Sequence, residues 1–209
     1  MTTKSNPKPF PKEFLDWQVA LRHHTMVERN GTPHMGVVPL VTVKRPGVSL
    51  GVISHSIVCG LLPNAEQLDA KTREFQTLYD EFSSQGAKTL YDRGLSYLVD
   101  YYESAADFDP DSVTTLLPDD SALKQALAAE PTCALVFNVF DPNESNKLGA
   151  PRCQQIEAVA ELHRDGPVYD NVWWHNTLFH GKADGHVVVR FRHERSWNTC
   201  FGGFEALDG

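Results

Sequence analysis

Between Thr25 and Leu62 the chain runs as short β-rich stretches separated by turn residues. Parallel neighbours in a sheet need a crossover of about a dozen residues or more, usually a helix, and this part of the chain has no room for one. Asn30-Gly31 divides residues 25–43 into two strands around a turn, since both residues tolerate the positive φ of a tight hairpin. Pro46-Gly47 then opens a third β-rich run, "VSLGVISHSIVCGLL" (48–62). Antiparallel pairing is the expectation that this spacing sets.

The same pattern returns further on. "VTTLL" (113–117), "CALVFNVF" (133–140) and "HVVVRFRHERSW" (186–197) read as strands. In the last of these Val187, Val189 and Phe191 alternate with Val188, Arg190 and Arg192, read as a strand with one polar face. "RCQQIEAVAEL" (152–162) alternates less cleanly. Between the two halves lies a helical section, 64–103. Its first stripe is Leu68, Phe75, Leu78, Tyr79 and Phe82, headed by an Asn64/Gln67 capping pattern, and its second holds Leu90, Tyr91, Leu95, Leu98, Tyr101 and Tyr102. "ADFDPDS" (106–112) is read as the end of the helical section. Arg164-Asp165-Gly166-Pro167 is read as a break before "VYDNVWWHNTLFHG", to which no element is assigned. A short helix begins at "DDSALKQALAAEP" (119–131) and leads through Pro131 into the strand at 133.

These elements describe a mainly β, α+β chain of 209 residues, a single domain with residues 64–103 inserted. Open sheet edges are a liability, so closure into a small barrel is expected. The formal charge of −8 argues against non-specific binding to nucleic acid or anionic membranes. Cys59, Cys133, Cys153 and Cys200 form no CxxC pair, and no apolar run reaches the ~20 residues of a membrane span. The N-terminus lacks the apolar core of a secretory signal, so a cytoplasmic protein is expected. There is no GxGxxG after a strand, no Walker motif and no GxSxG elbow.

Four segments, in order, resemble the pyridoxamine 5'-phosphate oxidase-related family of FMN-binding split barrels. They are "ERNGTPHMGVVPLV", "SALKQALAAEPTCALVF", "RCQQIEAVAEL" and "VVVRFRHERSW", about half of the chain together. The resemblance implies a six-stranded antiparallel split β-barrel, a homodimer with FMN at the subunit interface, and oxidoreductase chemistry on a small-molecule substrate. The chain departs from the family's pattern at Gly36, Leu123 and Ala158, where many members carry a phosphate-binding arginine, a basic residue and a glycine respectively. Residues 64–103 are a large insertion relative to compact members.

On that resemblance the flavin contacts are Ser121 and Lys124 for phosphate, Arg152 and Gln154 for the polar edges, and Arg192 or Trp197 from the closing strand. The residues themselves leave two readings open. A hydroxyl and a cation at a helix start suit a phosphate, whereas Asp119 and Asp120 beside them suit a plain capped helix and repel an anion. Haem is the alternative cofactor, with His34, His55, His175 or His180 as the axial ligand; no histidine spacing points to another metal site. A dimeric barrel that has lost its cofactor site is the non-enzymatic alternative.

Overall fold

A computed structural model describes residues 9–10, 40–44, 52–56, 60–83, 108–139, 152–180, 183–200 and 203–206. They form eight strands: β1 (Leu40–Lys44), β2 (Val52–Ser56), β3 (Gly60–Pro63), β4 (Phe108–Pro118), β5 (Thr132–Val139), β6 (Arg152–His163), β7 (His186–Cys200) and β8 (Gly203–Ala206). Three helices accompany them, α1 (Leu68–Phe82), α2 (Ala122–Ala129) and α3 (Gly166–His180). All pairings are antiparallel, in the order β2-β1-β5-β6-β7-β4-β3, with β8 on β7. The α+β class and the antiparallel sheet are as the sequence predicts. The six-stranded closed barrel is not what the described residues form. Eight strands join one open sheet, and no ladder links β2 to β3 among those residues.

Strand β7 organises the sheet because its start is apolar on both faces. Val187, Val189 and Phe191 point into the main core with Val113 and Leu117 of β4, Ile156, Ala158 and Ala160 of β6, and Cys133 and Leu135 of β5. Helix α2 covers this core with Leu123, Ala126 and Leu127. Val188 joins a second cluster with Leu62 and Val168, flanked by Leu68, Leu116, Tyr169 and Val172. Beyond Val188 the outward positions become Arg190 and Arg192, which are only partly buried.

Strand β6 alternates regularly where it is buried, at Ile156, Ala158 and Ala160, and the irregularity lies in β7. The β6–β7 register shifts between Glu157 and Ala158, which lie across from Arg195 and His193, so Glu194 is the additional residue of β7 in this ladder. One extra residue in β7 changes which parity faces inward. The buried series Val187, Val189, Phe191 and His193 therefore continues at Ser196.

Several elements differ from the sequence reading: β8 was given no element, and the single run 48–62 holds both β2 and β3. Residues 106–112 do not simply end a helical section, because β4 already starts at Phe108. Helix α3 occupies a stretch given no element. Its inner stripe reads Val168, Asn171, Val172, His175 and Leu178, and the polar members at 171 and 175 break the apolar periodicity that marks a helix. Gly166 has φ of 82°, and Pro167 follows it in the first turn, where proline's missing N–H costs nothing. Helix α1 was anticipated, although it begins at Leu68. Asn64 Oδ1 accepts from the Gln67 N–H at 3.1 Å and the Asn64 carbonyl from Leu68 N at 3.0 Å, forming the turn that leads into it. The expected hairpin at 25–43, apart from residues 40–43, and the second helical stripe lie outside the described residues.

Helices α1 and α3 pack together through rings: Tyr79 meets Trp174 at 5.3 Å between centroids, and Phe75 meets His175 at 5.4 Å. On the N-terminal side, Phe10 is buried against the His193 ring at 5.2 Å, and its N–H donates to the Pro110 carbonyl of β4. Leu135 is fully buried at the centre of the core. Leu135→Ala is expected to lower stability by about 2–5 kcal/mol, read from urea unfolding midpoints.

Candidate functional site

The end of the sheet where β4 stops and β7 starts is built around the entry to α2. The Asp119 N–H donates to the Gly185 carbonyl at 2.9 Å, and the Ser121 N–H donates to the Pro118 carbonyl at 3.1 Å. Ser121 has extended backbone angles, and its hydroxyl accepts from the Lys124 N–H at 3.2 Å, as an N-cap residue does. The helix stops at Glu130, and the Pro131 carbonyl accepts from Ala160 N at 2.8 Å, which ties the junction to β6. The helix–proline–strand junction is thus held at both ends by the sheet.

Asp119 is turned away from the role of a free acid at this helix start. Its Oδ1 lies 2.7 Å from Arg164 Nη2, at the end of β6. The close contact with the Arg164 guanidinium, not well directed at Oδ1, holds the Asp119 carboxyl below its usual range, against a smaller effect of desolvation and with help from the charges of Arg164, Lys124 and His186. No carboxylate lies within ion-pair distance of the Lys124 ammonium among the described residues. Arg164 was missed in the sequence because only the antiparallel return of β6 beside β7 and β4 brings it to Asp119.

A second charged group lies where the start of β4 runs beside the middle of β7. Arg190 Nη2 donates to Asp109 Oδ2 at 2.8 Å and sits 3.8 Å from Asp111 Oδ1, while Arg192 Nη1 is 2.9 Å from that same oxygen. All four side chains are about four-fifths buried, with exposures of 17–21%. Asp111 Oδ1 is buried without a well-directed hydrogen bond. Burial therefore dominates and pushes the Asp111 carboxyl up to about 6, aided by the hydrogen bond and charge of Asp109 and opposed by Arg192 and Arg190.

The sequence-derived candidates fall into separate places. Ser121 and Lys124 are together at the α2 entry. Arg192 is partnered by Asp111 and lies in register with Ser112 and Val159. Arg152 is in register with Val139, Gln154 with Phe137 and Asn198, and Trp197 with Gln155 and Ala206, so these three share the far end of the β6–β7 ladder. From His186 to Trp197 an extended strand spans about 35 Å.

Among the histidines proposed for haem, His175 stacks on Phe75, His55 lies on β2 and His180 ends α3, while His34 is outside the described residues. Among the described residues no three His, Cys, Asp or Glu side chains are grouped to hold a metal ion. Burial pushes the Cys133 thiol up to about 12, and it donates to the Ala158 carbonyl at 3.5 Å, a structural rather than a nucleophilic cysteine. No described helix is long and apolar enough to cross a membrane.

No family model and no curated protein matches the chain. Several solved structures are similar to it. A heme binding protein from Mycobacterium smegmatis has a TM-score of 0.46 at 12% identity, covering 90% of this chain and 57% of that one. General stress protein 26 from Bacillus anthracis has a TM-score of 0.43 at 9% identity, covering 88% of this chain and 99% of that one. A Clostridium acetobutylicum protein related to general stress protein 26 has a TM-score of 0.40 at 9% identity, covering 95% and 96%. That last structure is of the pyridoxinephosphate oxidase family, the group that the four sequence segments resemble. Identity and overlap at this level transfer no ligand and no activity.

Two expectations follow from the geometry. Ser121→Ala removes the α2 cap and should cost about 1 kcal/mol in thermal or urea unfolding. Asp111 has a folded pKa of about 6 against 3.8 for the ordinary carboxyl, so folding favours its protonated form. Its contribution to stability is full below 3.8 and is lost as pH rises through about 6. Urea midpoints measured from about pH 4 to 8 should show this step in the wild type and not in Asp111→Asn.

Proposed function

We propose that this protein is an FMN-binding flavoprotein, an oxidoreductase of the pyridoxamine 5'-phosphate oxidase-like class acting as a homodimer. The observation that carries the reading is the Asp119–Arg164 ion pair beside Ser121 and Lys124. Two acids at the start of α2 argued against a phosphate there; Arg164 neutralises one of them, Asp119, so that the helix N-terminus, the Ser121 hydroxyl and the Lys124 ammonium face Asp120 as the one acid left uncompensated. That donor set suits a phosphate. Ser121 keeps its hydroxyl proton for a ligand while its oxygen caps the helix.

In this reading Ser121 and Lys124 hold the phosphate, and Arg164 screens Asp119. Arg152, Gln154, Arg192 and Trp197 serve the flavin's other edges. Since Gln154 and Trp197 lie at the opposite end of β7 from Ser121, one flavin meets both sets only where two chains adjoin. Closure of the sheet into a split barrel belongs to the same proposal. Bound there, the flavin supplies hydride chemistry toward a small-molecule substrate, and the protein orients it and tunes its electrostatics.

A visible spectrum of the purified protein is the first test: two flavin bands support the reading, whereas a Soret band or a protein that takes up no FMN on titration overturns it. Ser121→Ala combined with Lys124→Ala is expected to weaken FMN about tenfold or more in a fluorescence titration, because charge-assisted hydrogen bonds are lost. Unchanged affinity would remove the phosphate from the α2 entry.

A further inference from the structure

The charged group on β4 and β7 has spare binding capacity. Two guanidiniums carry more N–H donors than its two carboxylates engage. Among the described residues Arg190 Nε is buried with no hydrogen-bond partner, and Arg192 is held at 2.9 Å by one poorly aligned carboxylate oxygen. Asp109, Asp111, Arg190 and Arg192 together are neutral, so an entering anion meets two carboxylates as well as two cations. Loss of one negative charge leaves two cations against one.

We propose that Arg190 and Arg192 form a binding site for a small tetrahedral oxyanion, opened by protonation of Asp111. Protonation releases Arg192 from its carboxylate and adds one net positive charge beside the unfilled Arg190 Nε. The side chains are only about one-fifth exposed, which limits the ligand to a small anion or the tip of a larger one. Among the described residues the charged groups acting on Asp111 are Asp109 on its own strand and Arg190 and Arg192 on β7, and the titratable His193 of β7 packs on Phe10 beside Pro110. Strand β3, on the other side of β4, is Gly60–Pro63 and supplies no charge, nor do Pro9 and Phe10 beside Pro110. Glu161 of β6 lies in register with Arg190 and is 3.6 Å from His163. The position of Asp111 near pH 6 places the opening in an accessible range.

Arg192 is shared with the flavin reading, but the test uses no flavin, so the two fail separately. Sulfate keeps its double charge between about pH 5.5 and 8, so any pH dependence of its binding belongs to the protein. Calorimetric titration with sodium sulfate, at ionic strength held with chloride, is expected to show affinity at least about tenfold higher at pH 5.5 than at pH 8, since only the protonated fraction binds. Asp111→Asn should bind about equally at both values, at the acidic wild-type strength, and Arg192→Gln should lose binding at both. Equal wild-type affinity at the two pH values, absence of binding, or a pH step retained in Asp111→Asn overturns the proposal. Circular dichroism checks the fold of each variant, and if Arg192→Gln is unfolded, wild type against Asp111→Asn decides.

Discussion

Val187, Val188 and Val189 are each 0% exposed, and successive residues of a strand point to opposite faces. Both faces of the sheet at the start of β7 must therefore be covered. On one side Val187 and Val189 join the main core, to which α2 contributes Leu123, Ala126 and Leu127. On the other, Val168 of α3 and Leu62 of β3 close over Val188. The α2 entry sits where it does because its helix must lie over this end of the sheet, and that placement brings Ser121 and Lys124 beside the ends of β4 and β6. Past Val188 the outer face turns polar, and the Arg190 and Arg192 group occupies the uncovered stretch.

Charge pairing then decides which side chains are left to act. In an acidic chain the three arginines of β7 are taken up locally: Arg190 by Asp109, Arg192 by Asp111 and Arg195 by Glu157. Arg195 and Glu157 are exposed enough that solvent weakens their attraction, and the pair sits at the β-bulge as a surface contact. Asp111 differs because burial and Asp109 act on it more strongly than its arginines. Arg164, from the end of β6, has the opposite effect on Asp119. Two carboxylates on one strand and its following turn thus move in opposite directions, one toward holding its proton and one toward losing it.

Much of the architecture was legible in local pattern. The strands at 113–117, 133–140 and 186–197 and the helix at 122–129 follow from alternation, capping and the proline at 131, all properties of neighbouring residues. Helix α3 was not legible, because Asn171 and His175 occupy positions that face inward, and a polar residue in the buried stripe erases the signal. The extension of β4 back to Phe108 was hidden by Asp109, Pro110 and Asp111, whose composition marks a turn in isolation. Their strand conformation is supported by β3 and β7 and by the Phe10 contact, none of which is nearby in sequence.

By itself the sequence determined the antiparallel character and the order of the main elements, because each depends on residues within a few positions. Tertiary structure alone decided what surrounds them. It supplied Arg164 to Asp119, set Asp111 between two arginines, and separated Ser121 from Gln154 and Trp197 by the length of β7. Pairing partners in an antiparallel sheet lie far apart along the chain, so the electrostatic surroundings of a side chain depend on register, and register is a property of the folded sheet.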